Sequence, residues 1–143
     1  NSVEELWLRH QKELADATFL DEIIDGCGFE IITLEALQES HANGNDKHRS
    51  ELCSLYIREK SDIFNVIRSL PPKSLIRRDL RLTVDNPEDL VVCRAVYKQF
   101  KNHAPRISIA QIVEFLDINP KLKELILPYT EIGYSNMYLK HSN

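Results

Sequence analysis

The stretch "RLTVDNPEDL", Arg81 to Leu90, carries the densest chemistry of the sequence. Asp85 stands where an alternating run stops and a helix start begins. Leu80, Leu82 and Val84 alternate with Arg81, Thr83 and Asp85, which predicts a strand over 80–84 with one apolar and one polar face. A carboxylate at the carboxyl end of a strand points into the crevice where open α/β sheets bind ligands. With a nucleoside triphosphate there, Mg2+ is the expected counter-charge, held by one or two carboxylates and phosphate oxygens. The alternative is local: Asp85, Asn86, Glu88 and Asp89 form an acid-rich helix start favoured by the helix dipole. Spacing leaves both readings open.

The elements that would position this corner follow from caps and periodicity. Asn86 is the expected cap, Pro87 the first helical residue and Asp89 the reciprocal cap, with an apolar stripe of Leu90, Cys93, Val96, Tyr97 and Phe100 behind them. Ser108 and Gln111 open a second helix bearing Ile109, Ile112, Val113 and Leu116, and Asn119-Pro120 starts a last short one that Pro128 ends. Towards the N-terminus, Ser2 with Glu5 predicts a capped helix over about 3–14. Ala15–Phe19 and Phe29–Thr33 read as short strands, and Thr33 caps a helix ending at Asn43-Gly44. Asp46 is expected to cap another, with Leu52, Leu55 and Tyr56 on one face. Ile63–Leu70, rich in β-branched residues and stopped by Pro71-Pro72, reads as a further strand.

Bulk composition excludes several classes. The 143 residues fit one domain able to bury about 68–70% of its unfolded surface. A net charge of −4 and only short basic clusters (Arg77, Arg78, Arg81) give no nucleic-acid footprint. No apolar run approaches the ~18 residues a membrane span requires. Cys27, Cys53 and Cys93 are far apart and odd in number, which predicts reduced, partly buried thiols in a cytoplasmic protein. The five histidines lack metal-ligand spacing, so no zinc site is expected.

The whole phrase "RLTVDNPEDLVVCRAVYKQF" resembles the C-terminal strand-and-helix signature of the spore-coat polysaccharide and acylneuraminate cytidylyltransferases, the CMP-sugar synthetases. Members carry a T-V-D-T-P-E-D-L phrase whose first aspartate is a Mg2+ ligand; Asp85 corresponds to it, and Asn86 replaces the usual threonine. "ELWLRHQKELADATF" and "GFEIITLEAL" are similar to upstream family elements, which implies that Glu30 lies near the sugar pocket. In "ELCSLYI", Glu51 and Ser54 fit a family run, but Leu52 replaces its histidine; "SIAQIVEFLDINPKL" resembles the closing helices.

The resemblance covers most of 3–126 and implies an α/β fold: the distal part of a nucleotidyltransferase-like, three-layer α/β/α architecture with a mixed sheet flanked by helices. It implies a partial cytidylyltransferase-like domain over 1–128 and an aromatic tail over 129–143, with Tyr129, Tyr134 and Tyr138. The implied activity is Mg2+-dependent transfer of CMP from CTP to a sugar, with Asp85 on the metal and Glu30 and Arg81 as sugar-side candidates. Glu30 is equally readable as a solvent-facing strand position, and Arg81 as an edge-strand cation paired with Glu88 or Asp89. The family's Gly-rich CTP cradle has no counterpart among Gly26, Gly28, Gly44 and Gly133, so this chain alone is expected to be inactive. The alternative expectation is a non-catalytic, self-associating module whose uncovered sheet edge and apolar face pair with a second copy or a missing N-terminal half, anchored by Trp7 and the aromatic tail.

Overall fold

The computed structural model of the chain describes residues 2–49, 52–103 and 106–134. Glu51, Tyr138 and the side chains of Ser2 and Tyr134, singled out above, lie outside the described residues. The chain is mixed α/β, with a three-strand mixed sheet and six α-helices among the described residues. It divides into two compact units: one built from residues 2–21 and 28–70, the other from 22–27 and 71–134.

The first unit contains the sheet. Helix α1 (Ser2–Lys12) has Glu4 and Glu5 in its first turn and Arg9 and Lys12 in its last, charges that complement the helix dipole. Strand β1 (Ala17–Leu20) is buried throughout and central, pairing antiparallel with β2 (Glu30–Ile32) and parallel with β3 (Val66–Ser69). Successive side chains of β1 point to opposite faces. Ala17 and Phe19 pack with Ala36, Ile57 and Phe64, on the side of helices α2 (Leu34–Asn43) and α3 (Leu55–Glu59). Thr18, fully buried, meets Nδ1 of His10 on α1 at 2.9 Å. Helices thus flank both faces of the sheet.

The Thr33 cap holds as expected, its hydroxyl accepting from the Ala36 N–H at 3.2 Å. The helix expected from Asp46 does not form as one piece. A 3₁₀ turn covers Asp46–Arg49, and α3 starts only at Leu55. Asn45 takes the capping role instead: its side-chain oxygen accepts from the Lys47 N–H, and its own N–H donates to Nδ1 of His48.

The second unit is helical. Helices α4 (Pro87–Phe100), α5 (Ile109–Asp117) and α6 (Pro120–Tyr134) enclose a core of Ile24, Leu80, Val92, Val96, Leu116 and Ile126. The start of α4 is as read, with Pro87 first and the Asp89 carboxylate accepting from the Asn86 N–H at 2.9 Å. Its buried face is as read only in part: Val96 is buried and Phe100 packs against the core. Asp89, Val92 and Val96 point inward, whereas Leu90, Cys93 and Tyr97 of the expected stripe are exposed. The helix is rotated because a charged residue, Asp89, has a partner inside.

Two further expectations fail in this unit. The strand over 80–84 reduces to a single parallel bridge between Asp25 and Arg81, with the Leu82 N–H donating to the Asp25 carbonyl at 2.7 Å. The expected two faces hold only in part: Leu80 is buried in the core and Leu82 packs against it, but Arg81 is buried too and Val84 is exposed. At Gly26, φ is +87° and an added Cβ would lie 2.6 Å from the Leu82 carbonyl carbon, so only glycine fits that approach. Nor does Pro128 end the last helix. α6 continues to Tyr134 because buried Ile126 and Thr130 hold the turns on either side of it. No helix among the described residues is long and apolar enough to cross a membrane.

Candidate functional site

In the second unit the corner predicted from "RLTVDNPEDL" is organised around Arg81, which is 4% exposed. Its Nη2 donates to Asp85 Oδ2 at 2.6 Å and to Asp89 Oδ2 at 3.1 Å. Its Nε faces Asp89 Oδ1 at 3.0 Å as an ion pair without hydrogen-bond alignment. Its Nη1 donates to the Tyr129 carbonyl of α6 at 3.1 Å and lies 3.6 Å from Asp25 Oδ2. Three carboxylates therefore share one guanidinium. Gly133 of α6 comes close to this pair, where a Cβ would stand 2.7 Å from Asp25 Oδ2.

The three carboxylates have different environments. Asp89 is fully buried; desolvation pushes its pKa up, but N–H groups of Asp85 and Asn86, the Asn86 amide and Arg81 outweigh it and hold it below the usual carboxylate range. Asp25 is raised, chiefly by burial and also by the neighbouring Asp85 and Asp89, with Arg81 opposing. Asp85 is the outermost, its side chain 66% exposed. One of its oxygens is held by Arg81 and by the Thr83 hydroxyl at 3.3 Å.

Sequence reasoning put Arg81 and Asp85 on one face of a strand without pairing them; the structure replaces that strand with a single bridge and joins the two side chains directly. Of the two local partners considered for Arg81, Asp89 is the one it pairs with, but the pair is buried and not at an exposed edge. Asp25, 56 positions upstream of Arg81, carried no signal that would have found it.

Glu30 belongs to the first unit. It accepts from the Ser54 hydroxyl at 2.9 Å and from Arg58 Nη2 at 2.7 Å. Arg58 in turn grips Asp21 with both Nη atoms, at 3.1 and 3.0 Å, and its Cζ lies over the Phe19 ring, 3.8 Å from its centroid. Burial opposes the charge on Arg58, but the hydrogen bonds it donates to Asp21 and Glu30 prevail and raise its pKa. Arg68 of β3 adds a longer contact to Asp21 at 3.3 Å. These groups gather where the parallel strands β1 and β3 end, the end of a parallel sheet at which ligands bind. Asp21 follows the last residue of β1 directly, so the rule that singled out Asp85 also finds Asp21, once that strand is set at Ala17–Leu20.

As a donor set, Asp85 fits a hard divalent cation bound through one exposed carboxylate and completed by water and phosphate oxygens. It does not fit an all-protein cage: among the described residues no group of three or more His, Cys, Asp or Glu side chains is arranged to hold a metal ion. Cys27 is half-buried, whereas Cys53 and Cys93 are exposed rather than partly buried as expected. Burial, followed by the nearby Asp25, pushes the Cys27 thiol up, which makes it a poor nucleophile.

The architecture is thus that of a mixed α/β chain with an arginine-centred acidic corner. No family model matches it, and no solved structure matches at a significant level. Over 103 residues, 72% of this chain, it is 34% identical to the uncharacterized protein MJ1063 of Methanocaldococcus jannaschii. The match takes in 42% of that archaeal protein, so the chain spans about two fifths of the length of the curated relative it matches.

Proposed function

We propose that the chain is the C-terminal portion of a Mg2+-dependent cytidylyltransferase that transfers CMP from CTP to a sugar in surface-polysaccharide biosynthesis. The observation that carries this reading is Asp85: an exposed carboxylate, fixed through one oxygen by a buried arginine, at the mouth of a capped helix. It stands in a phrase resembling the family's metal-binding signature. The nucleotidyltransferase-like fold and a cytoplasmic location belong to the same proposal.

Mg2+, when bound, would offset charge developing on the triphosphate. The rest falls to the chain's own residues. Arg81 holds one oxygen of Asp85, which limits the carboxylate's rotation. Asp89 is committed to Arg81 and to two backbone N–H groups, so it orients the guanidinium and is not offered to a ligand. Glu30, fixed by Ser54 and Arg58, would accept from a sugar hydroxyl. One carboxylate without a phosphate cradle supplies little of the positioning on which phosphoryl transfer depends, so the chain alone would not catalyse the reaction.

Calorimetric titration of CTP, with and without Mg2+, into the chain and into Asp85→Ala tests the proposal. Magnesium-dependent binding that the variant lacks supports it. Binding of equal strength in both proteins removes Asp85 from the site and counts against it.

A second reading, a self-associating interaction module, is favoured by α1, where Trp7 and Leu8 are 47% and 59% exposed. Such apolar exposure is common at protein interfaces. Light scattering that shows a monomer at every concentration would dispose of it.

A further inference from the structure

The first unit holds a cavity of about 630 Å³ that uses none of the residues assigned above. This lies in the range of small-molecule pockets, roughly 300–1,000 Å³. One wall is helix α2, which presents Leu34, Leu37, Gln38 and His41, a spacing that places all four on one face. The helix is inverted relative to an ordinary surface helix. Its core-facing buried residues are the small Ala36 and Ser40, while Leu34 and Leu37 are 64% and 40% exposed.

The opposite wall comes from the 3₁₀ turn Asp46–Arg49. His48 is fixed there in one tautomer. Its Nδ1 accepts the Asn45 N–H, so the ring proton sits on Nε2 and is given to Glu59 Oε2 at 2.9 Å. Tyr56 holds the imidazole edge to face at 5.1 Å, so the ring serves as a rigid flat wall, its nitrogens already engaged. Arg49 is the charged side chain of the lining, and its guanidinium is weakly occupied. It reaches the exposed Asp46 carboxylate only at 3.5 Å and the His41 carbonyl at 3.4 Å. Most of its five N–H donors are therefore available to an incoming acceptor.

We propose that this cavity binds a small flat or short-chain apolar molecule bearing one anionic group. Its body lies against Leu34, Leu37 and the His48 ring, and its carboxylate, sulfonate or phosphate is met by Arg49. The charge complementarity selects an anion, and the two exposed leucines supply the apolar surface that such a body would cover. The inference does not depend on the cytidylyltransferase reading, and it would stand if that reading fell.

The test is calorimetric titration with 2-naphthoate and with neutral 2-naphthol. The proteins are the full chain, Arg49→Gln and Leu37→Asp, each checked for an unchanged far-ultraviolet spectrum. Both substituted residues are solvent-exposed, so the variants are expected to fold. Saturable naphthoate binding is expected, roughly tenfold or more weaker in Arg49→Gln, as for the loss of one charge-assisted contact, and lost in Leu37→Asp. Naphthol is expected to bind weakly and to be indifferent to Arg49→Gln. No saturable naphthoate binding, binding unaffected by both substitutions, or naphthol binding as tightly as naphthoate would each overturn the proposal.

Discussion

Replacing Arg81 by methionine is expected to destabilise the second unit by about 3–5 kcal/mol, the range for removing one partner of a buried ion pair. The magnitude follows from which carboxylate is left behind. Asp85 is 66% exposed, so its part of the interaction is worth only about 0–1 kcal/mol. Asp89 is fully buried and would lose its counter-charge. Folded domains are stable by only about 5–15 kcal/mol, so the loss is a large fraction of the whole. Adding Asp89→Leu to Arg81→Met removes the stranded charge and is expected to recover most of the loss. The recovery stops short by about 1 kcal/mol because Asp89 also accepts the Asp85 and Asn86 N–H groups at the start of α4. Urea unfolding followed by far-ultraviolet circular dichroism is the assay, since α4 and α6 are the two longest helices and both belong to this unit. Trp7, the one tryptophan, lies in the other unit and would report on that unit instead. A loss below about 1 kcal/mol for Arg81→Met, or a double variant no more stable than the single, would refute the reasoning; either would mean that Asp89 is hydrated or neutral in the fold.

Asp117 is held down to about 2 by hydrogen bonds from Arg77 and then Lys123. A depressed folded value contributes stability above the unfolded pKa of about 3.9, and this is lost as pH falls through the folded value. Its side chain is 40% exposed, so Asp117→Asn should cost about 0–1 kcal/mol at pH 7, and the difference should shrink between pH about 4 and 2; urea midpoints across that range check it. Pro128 cannot donate to the Glu124 carbonyl within α6. Pro128→Ala should therefore raise stability by about 2 kcal/mol, the roughly 3 kcal/mol of an interior proline less up to about 1 kcal/mol of unfolded-state entropy. A thermal midpoint that does not rise would show that the surrounding packing already relieves the defect.

What the sequence by itself determined about this protein is local. The Asn86-Pro87-Asp89 start of α4 and the Thr33 cap of α2 were legible because each is settled within four residues, by side chains bonding nearby N–H groups. The same locality explains the misplaced helix at Asp46, where neighbouring Asn45 offers the better cap. The course of α6 past Pro128 could not be read, because a proline's local cost is overruled by burial of Ile126 and Thr130 in the core. At the candidate site the sequence singled out Arg81 and Asp85 in one short phrase and identified the acidic helix start. Only the tertiary structure decided that Arg81 points inward, that Asp25 joins it, and that α4 turns Asp89 towards the core in place of Leu90. The reason is electrostatic. Periodicity assigns every charge to the outside, and that holds only while burial costs more than pairing returns. Asp25, brought back from 56 positions away, and the Tyr129 carbonyl of α6 add to the partners that Arg81 finds inside, and the charges follow it in.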